Sequence, residues 1–177
     1  MRPCMLFVIG LVGVGAPVAA QEAPPASAPP LAPTFDVQDN RLALPAPVVF
    51  ETGGPTLAGD AQPGLEHVAA FLNAKAYVTL LRLEGHVDAD TPPEKAQGLT
   101  EARALAAARW LVSRGISCKR LLPVGFGASK PVAPNDTPEN KAQNRRLEAR
   151  VAELRGRAIG GMPVDGGGRV AGDPCQP

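Results

Sequence analysis

Leu81, Leu83 and Val87 alternate with Arg82, Glu84 and His86, the period-two pattern of a half-buried strand. The run ends at Asp88. Fifteen residues later Arg103 lies inside an Ala- and Leu-rich helical pattern. At about 100° per residue, Leu99, Arg103, Ala107 and Leu111 share an arc of about 120° that is apolar except for the guanidinium. A charge on the face that should meet a sheet, with a carboxylate at the nearby strand end, marks this region for closer reading.

The remaining pattern supplies the other elements. "RLALPAPVVFE" reads as an extended segment that its prolines confine to an edge or split into two short strands. After the turn "TGGPT", Leu65, Val68, Phe71 and Leu72 have helical spacing, with Pro63 near the helix start. "AYVTLLRLEGHV" is the second strand, and its Leu-rich part belongs in the centre of a sheet. The long helix that contains Arg103 ends at Gly115. "RLLPVGFG" is a third strand, "ASKPVAPNDTPENKAQN" a polar loop with one helical turn, and "RRLEARVAEL" a final strand. This order predicts an α/β two-layer sandwich, a small mixed β-sheet with the helices on one face.

The ends of the chain differ from its middle. "MRP" followed by "CMLFVIGLVGVGAPV" and "VAA" reads as a secretory signal over residues 1–20. Residues 21–34 hold five Pro and four Ala and read as a semi-rigid spacer. The folded domain is expected over 35–155, followed by an irregular Gly/Pro-rich tail over 156–177. Export places Cys118 and Cys175 in an oxidising compartment; they read either as a disulfide or as two free thiols. Net charge is +1 and aromatic content 4%. With no basic run and a single Trp and Tyr, nothing points to nucleic acid. No Cys/His spacing forms a metal site, no cofactor motif is present, and no nucleophile–base pair supports an enzyme such as a wall hydrolase.

Two segments, "LEGHVDADTPPEKAQGLTEARA" and "GFGASKPVAPNDTPENKAQNRRLE", carry a family resemblance. Gly85, His86 and Asp88; Leu99, Thr100, Arg103 and Ala104; Gly125, Gly127 and Pro131; Asn135 and Thr137; and Asn144 through Glu148 match, in order, the motifs of the OmpA-like peptidoglycan-binding domain. Residues 48–57 resemble that family's first strand and turn. The resemblance covers roughly residues 41–155.

The resemblance implies non-covalent attachment to peptidoglycan in the periplasm of a Gram-negative-type envelope, at the wall or outer membrane. The ligand it implies is the diaminopimelate of the stem peptide, whose side-chain end is zwitterionic. Asp88 would take the ammonium and Arg103 the carboxylate, bidentately. Arg145 would be a second cation near the ligand, and Asn144 and Glu51 would border it. Without these motifs, Asp88 and Arg103 would read as an ion pair tying helix to strand. Val87 stands where the family has Thr, and Ala96 where it has Asn. This thinner polar shell fits an alternative, an OmpA-like protein-interaction module that has lost useful peptidoglycan affinity. A further outer-membrane or periplasmic protein partner is open under either reading.

Overall fold

The computed structural model describes residues 33–159 and 168–176. The signal segment and nearly all of the spacer lie outside the described residues. In chain order the elements are β1 (Val37–Gln38), β2 (Arg41–Leu42), α1 (Gln62–Ala74), β3 (Val78–Gly85), α2 (Pro93–Ser113), β4 (Leu121–Gly125), α3 (Pro138–Asn144), β5 (Leu147–Leu154), β6 (Arg157–Ala158) and β7 (Arg169–Val170). The sheet order is β1-β2-β5-β3-β4-β7, with β6 paired to β5. Strand β3 runs parallel to β4 and antiparallel to β5, so the Leu-rich strand is central and the sheet is mixed, as expected.

Each helix starts and stops where its residues dictate. Proline occupies the first turn of all three helices, where a missing N–H costs nothing. Thr137 caps α3 by accepting a hydrogen bond from the Asn140 backbone N–H at 3.2 Å. Helix α2 ends just before Gly115, which adopts φ +87°, a left-handed conformation open to glycine. Leu65, Val68, Phe71 and Leu72 of α1 pack with Ala104, Ala107, Ala108 and Leu111 of α2 against Leu81, Leu83, Ala149 and Val151 of the sheet. Both long helices therefore cover one face.

Three features differ from the sequence reading. Helix α2 meets the sheet through Thr100, Ala104, Ala107 and Leu111, all fully buried, while Arg103 sits half-buried at the margin of that face. Small residues decide this rotation. A Cβ at Gly85 would lie 2.5 Å from the Thr100 carbonyl oxygen, and one at Gly125 would lie 2.6 Å from the Glu101 backbone nitrogen. Strand and helix backbones touch there, which leaves no space for an arginine.

Residues 48–57 do not form a sheet strand. They make a tight turn closed by a single antiparallel bridge between Phe50 and Leu57, because Pro45 and Pro47 interrupt the ladder after β2. The third difference lies in the C-terminal tail, which contributes two short strands. Strand β7 pairs antiparallel with the β4 edge, and the Ala171 N–H donates to Pro123 O at 2.9 Å.

Cys118 and Cys175 form a disulfide across a 57-residue separation, fixing this strap near the start of β4. Chain-entropy reasoning assigns such a closure up to about 4 kcal/mol. A Cys118→Ser/Cys175→Ser variant is expected to lose stability toward that limit, and the Ala171 amide should lose hydrogen-exchange protection first. Unchanged protection at Ala171 would show that strand pairing alone holds the strap.

Candidate functional site

Beyond β3 the chain stays extended for two more residues. The His86 N–H donates to Arg146 O and the Val87 N–H to Gly127 O, both at 3.0 Å. This delivers Asp88 to the sheet's end, where it is 4% exposed. Its Oδ2 accepts a hydrogen bond from Arg145 Nη1, and its Oδ1 lies 3.4 Å from Thr91 Oγ1. Burial pushes the Asp88 carboxyl up, but Arg145, the Asp90 backbone and Thr91 outweigh it and hold the group below its usual value. Asp88 is an anion.

Arg103 approaches from α2. Its Nε donates to Gly54 O at 2.9 Å, and its guanidinium lies 5.1 Å from the centre of the Phe50 ring, a cation–π distance. Among the described residues it makes no ion pair within 4.0 Å. The helix-to-strand pair of Asp88 with Arg103 is thus not formed; Arg145 takes the carboxylate instead. Burial, and after it the like charge of Arg145, lower the Arg103 pKa, with Asp88 opposing. Arg103 and Arg145 together line two adjoining cavities of about 490 and 470 Å³, which share Gly53. Arg103 and Arg145 both face this open space, with Asp88 behind Arg145, and the arrangement suits a ligand bearing a carboxylate.

Asn144 is completely buried. Its Oδ1 accepts from the Val132 and Ala133 N–H groups at 2.8 and 3.1 Å, and its Nδ2 donates to Ala133 O and Asn135 Oδ1 at 2.8 and 3.0 Å. Asn135 Oδ1 in turn accepts the Ala89 N–H at 3.1 Å. Asn144 therefore sits behind the site and braces the backbone beside Asp88. Glu51 is exposed; its backbone closes the 51–56 turn, while its neighbours Phe50, Thr52 and Gly53 line the cavity. Phe50 and the Gly54 carbonyl, which hold Arg103, were not singled out in the sequence. They entered the sequence reading only as part of the 48–57 segment and its turn "TGGPT".

On the face opposite the helices the polar side of β3 is not solvated. Arg82, Glu84, His86 and Glu148 are each 5% exposed or less. They form cross-strand rows of alternating sign. Arg41, Arg150 and Arg82 stand side by side across β2, β5 and β3, and Glu148 faces Glu84 in the next row. Arg82 Nη2 lies 2.5 Å from Glu84, and Arg150 Nη2 and Arg146 Nε each lie 2.7 Å from Glu148. Paired burial of this kind is tolerated because every carboxylate has guanidinium partners. His86 has its Nε2 3.6 Å from Glu84 Oε2, beyond hydrogen-bond distance, and among the described residues neither of its ring nitrogens has a hydrogen-bond partner. It stacks on Phe126 instead, with ring centres 5.4 Å apart.

These groups set the response to acid. Burial raises the carboxyls of Glu84 and Glu148, but His86, Arg82 and Arg150 around the first and Arg146 and Arg150 around the second hold both below 4.5. Burial lowers His86 below 6.5, with Glu84 opposing. In every case the unfolded chain binds more protons as the pH falls, so stability drops with pH. The melting temperature is expected to decline below about pH 6.5 through His86 and more steeply below about pH 4.5 through the carboxylates. A flat profile from pH 7 to 3 would contradict these environments.

Residues 49–145 match the model of the OmpA family. The chain belongs to the OmpA family. It is 34% identical over 110 residues to a peptidoglycan-associated lipoprotein of Mesorhizobium japonicum, covering 62% of this chain and 64% of that protein. It is 31% identical over 135 residues to outer membrane protein Omp38 of Acinetobacter baumannii, covering 76% of this chain and 38% of that one. The chain spans less than two thirds of the length of these curated relatives. Among solved structures, the peptidoglycan-associated lipoprotein of Burkholderia pseudomallei superposes with a TM-score of 0.54 at 26% identity, covering 59% of this chain and 88% of that one. The periplasmic domain of Helicobacter pylori MotB superposes at 0.56 and 25% identity, covering 66% and 78%. By name these relatives are peptidoglycan-associated lipoproteins, an outer membrane protein and a periplasmic domain. Among the described residues no helix is long and apolar enough to cross a membrane.

Proposed function

We propose that this OmpA-family chain attaches non-covalently to peptidoglycan by holding the diaminopimelate of the stem peptide at the Asp88–Arg103 rim. The supporting observation is the state of Arg103: a half-buried guanidinium, positioned by Gly54 and Phe50, with no carboxylate in ion-pair range among the described residues. A ligand carboxylate would pair with this guanidinium bidentately, and the ligand ammonium would approach Asp88. Names of relatives such as peptidoglycan-associated lipoprotein agree with this reading. The disulfide and the N-terminal apolar segment support export to the periplasm, with residues 1–20 as signal and 21–34 as spacer.

A second reading, the interaction module without useful wall affinity, is favoured by one observation. Asp88 is already engaged by Arg145, so a ligand ammonium must share or displace that guanidinium. Arg145 is 47% exposed at its side chain and can swing away at modest cost. Co-sedimentation of the protein with purified sacculi containing diaminopimelate separates the two readings. Pelleting of the wild type and not of a folded Asp88→Ala/Arg103→Ala variant supports wall binding. If neither pellets above a control protein, the interaction module stands and protein partners become the object of search.

A further inference from the structure

The alternating rows on the open face of the sheet are one charge short. The first row carries three arginines, Arg41, Arg150 and Arg82; the second carries only two glutamates, Glu148 and Glu84. Strand β2 pairs Leu42 with Ala149, so the same antiparallel register carried one residue further sets Ala43 across from Glu148. An exposed alanine thus occupies the place where a third acid would complete the row. The consequence falls on Arg41. Among the described residues its one carboxylate within 4.0 Å is Glu148, 3.9 Å from Nη1, and its side chain is 53% exposed. By contrast Arg82, Arg146 and Arg150 grip their glutamates at 2.5–2.7 Å.

A groove of about 590 Å³ opens at this place. Arg41, Arg82, Arg146, Arg150 and Lys130 line it against the carboxylates of Asp39, Glu84 and Glu148, a surplus of two positive charges. The His86 imidazole, 2% exposed and 3.6 Å from Glu84 Oε2 through Nε2, also lines it. Glu84, His86 and Glu148 bring three metal-ligand atoms within 4.8 Å of one another, yet a divalent cation is disfavoured. Both carboxylates are already clamped by guanidiniums, and the surrounding charge is positive. A concave, cationic groove focuses potential toward anions, and a surplus of two exceeds what one carboxylate neutralises. A phosphate monoester, with about −1.5 to −2 charges at neutral pH, matches it.

We propose that this groove binds a phosphate-type oxyanion beside Arg41, where it supplies the negative charge missing from the glutamate row. The site lies on the sheet face opposite the helices and does not depend on the stem-peptide reading. The phosphate belongs either to a small soluble molecule or to a lipid headgroup.

The test uses the full chain and two probes: inorganic phosphate followed by calorimetry, and phosphatidylcholine vesicles with and without phosphatidic acid followed by sedimentation. Arg41→Ala is expected to weaken phosphate binding about tenfold or more. Ala43→Glu, which completes the row within the protein, is expected to abolish binding while melting at or above the wild-type temperature. Lys119→Ala, the same charge change at an exposed position outside the groove, should bind as wild type does. Binding of phosphate without vesicles assigns a soluble source. Vesicle binding that requires phosphatidic acid and disappears in Ala43→Glu assigns a lipid. The proposal is overturned if the wild type binds neither probe, or if Arg41→Ala and Ala43→Glu bind phosphate as tightly as wild type.

Discussion

Alanine at position 85 is expected to destabilise the fold by about 3 kcal/mol, the upper part of the range for overpacking a close contact. The added methyl would lie 2.5 Å from the Thr100 carbonyl oxygen and 3.1 Å from its carbon. These are backbone atoms of α2 in mid-helix, so no side chain can rotate away, and helix and strand must separate. That separation would also loosen Thr100, whose hydroxyl accepts the Gly127 N–H at 3.0 Å. Gly98→Ala is the control. It lies in the same helix with nothing within 4 Å of its would-be Cβ, and should stabilise by about 0.5–1 kcal/mol through helix propensity. Urea denaturation of the two variants measures both. Equal midpoints for Gly85→Ala and wild type would show that α2 does not rest on β3 as described.

The second large effect concerns binding. Asp88→Ala and Arg103→Ala are each expected to weaken muropeptide binding by about 2–5 kcal/mol if the ligand's charges are desolvated there. Arg103→Lys should also lose affinity, because an ammonium cannot reproduce the planar fork. The two removals differ in their side effects. Asp88→Ala releases Arg145 from its only ion pair among the described residues, whereas Arg103→Ala leaves the Asp88–Arg145 pair intact. Titration calorimetry with a diaminopimelate-containing muropeptide measures all three variants. Wild-type affinity throughout would remove the site from this rim.

Much of the architecture was legible because its signals are local. The Leu81–Leu83 alternation, Pro63, and the Gly115 stop each encode an element without reference to the rest of the chain, and the helices and central strands followed. What escaped depended on contacts between distant residues. The rotation of α2 is set by Gly85 and Gly125, which helical periodicity within α2 does not register. Burial of Arg82, Glu84 and His86 depends on Arg150 and Glu148 from a strand more than sixty residues away, so alternation alone read that face as solvated. At the site, Arg145 meets Asp88 and lines the same two cavities as Arg103. Their pairing was not readable, because whether Asp88 meets Arg103 or Arg145 is decided by side-chain reach across a loop. The strands β6 and β7 are only two residues each, too short for any period to appear.

The strap formed by β7 has a meaning for a crowded surface. An uncovered edge of β4 would present a row of unpaired N–H and C=O groups, a template for joining sheets of neighbouring molecules. If the chain is held on the wall as proposed, it would meet copies of itself far more often than in free solution, and edge-to-edge aggregation would be a standing hazard there. Val170 and Arg169 occupy the Val124–Gly125 end of the edge, and the Cys118–Cys175 bond keeps them there through local opening. On that proposed reading the cross-link would serve as protection against self-association as well as a contribution to folding free energy.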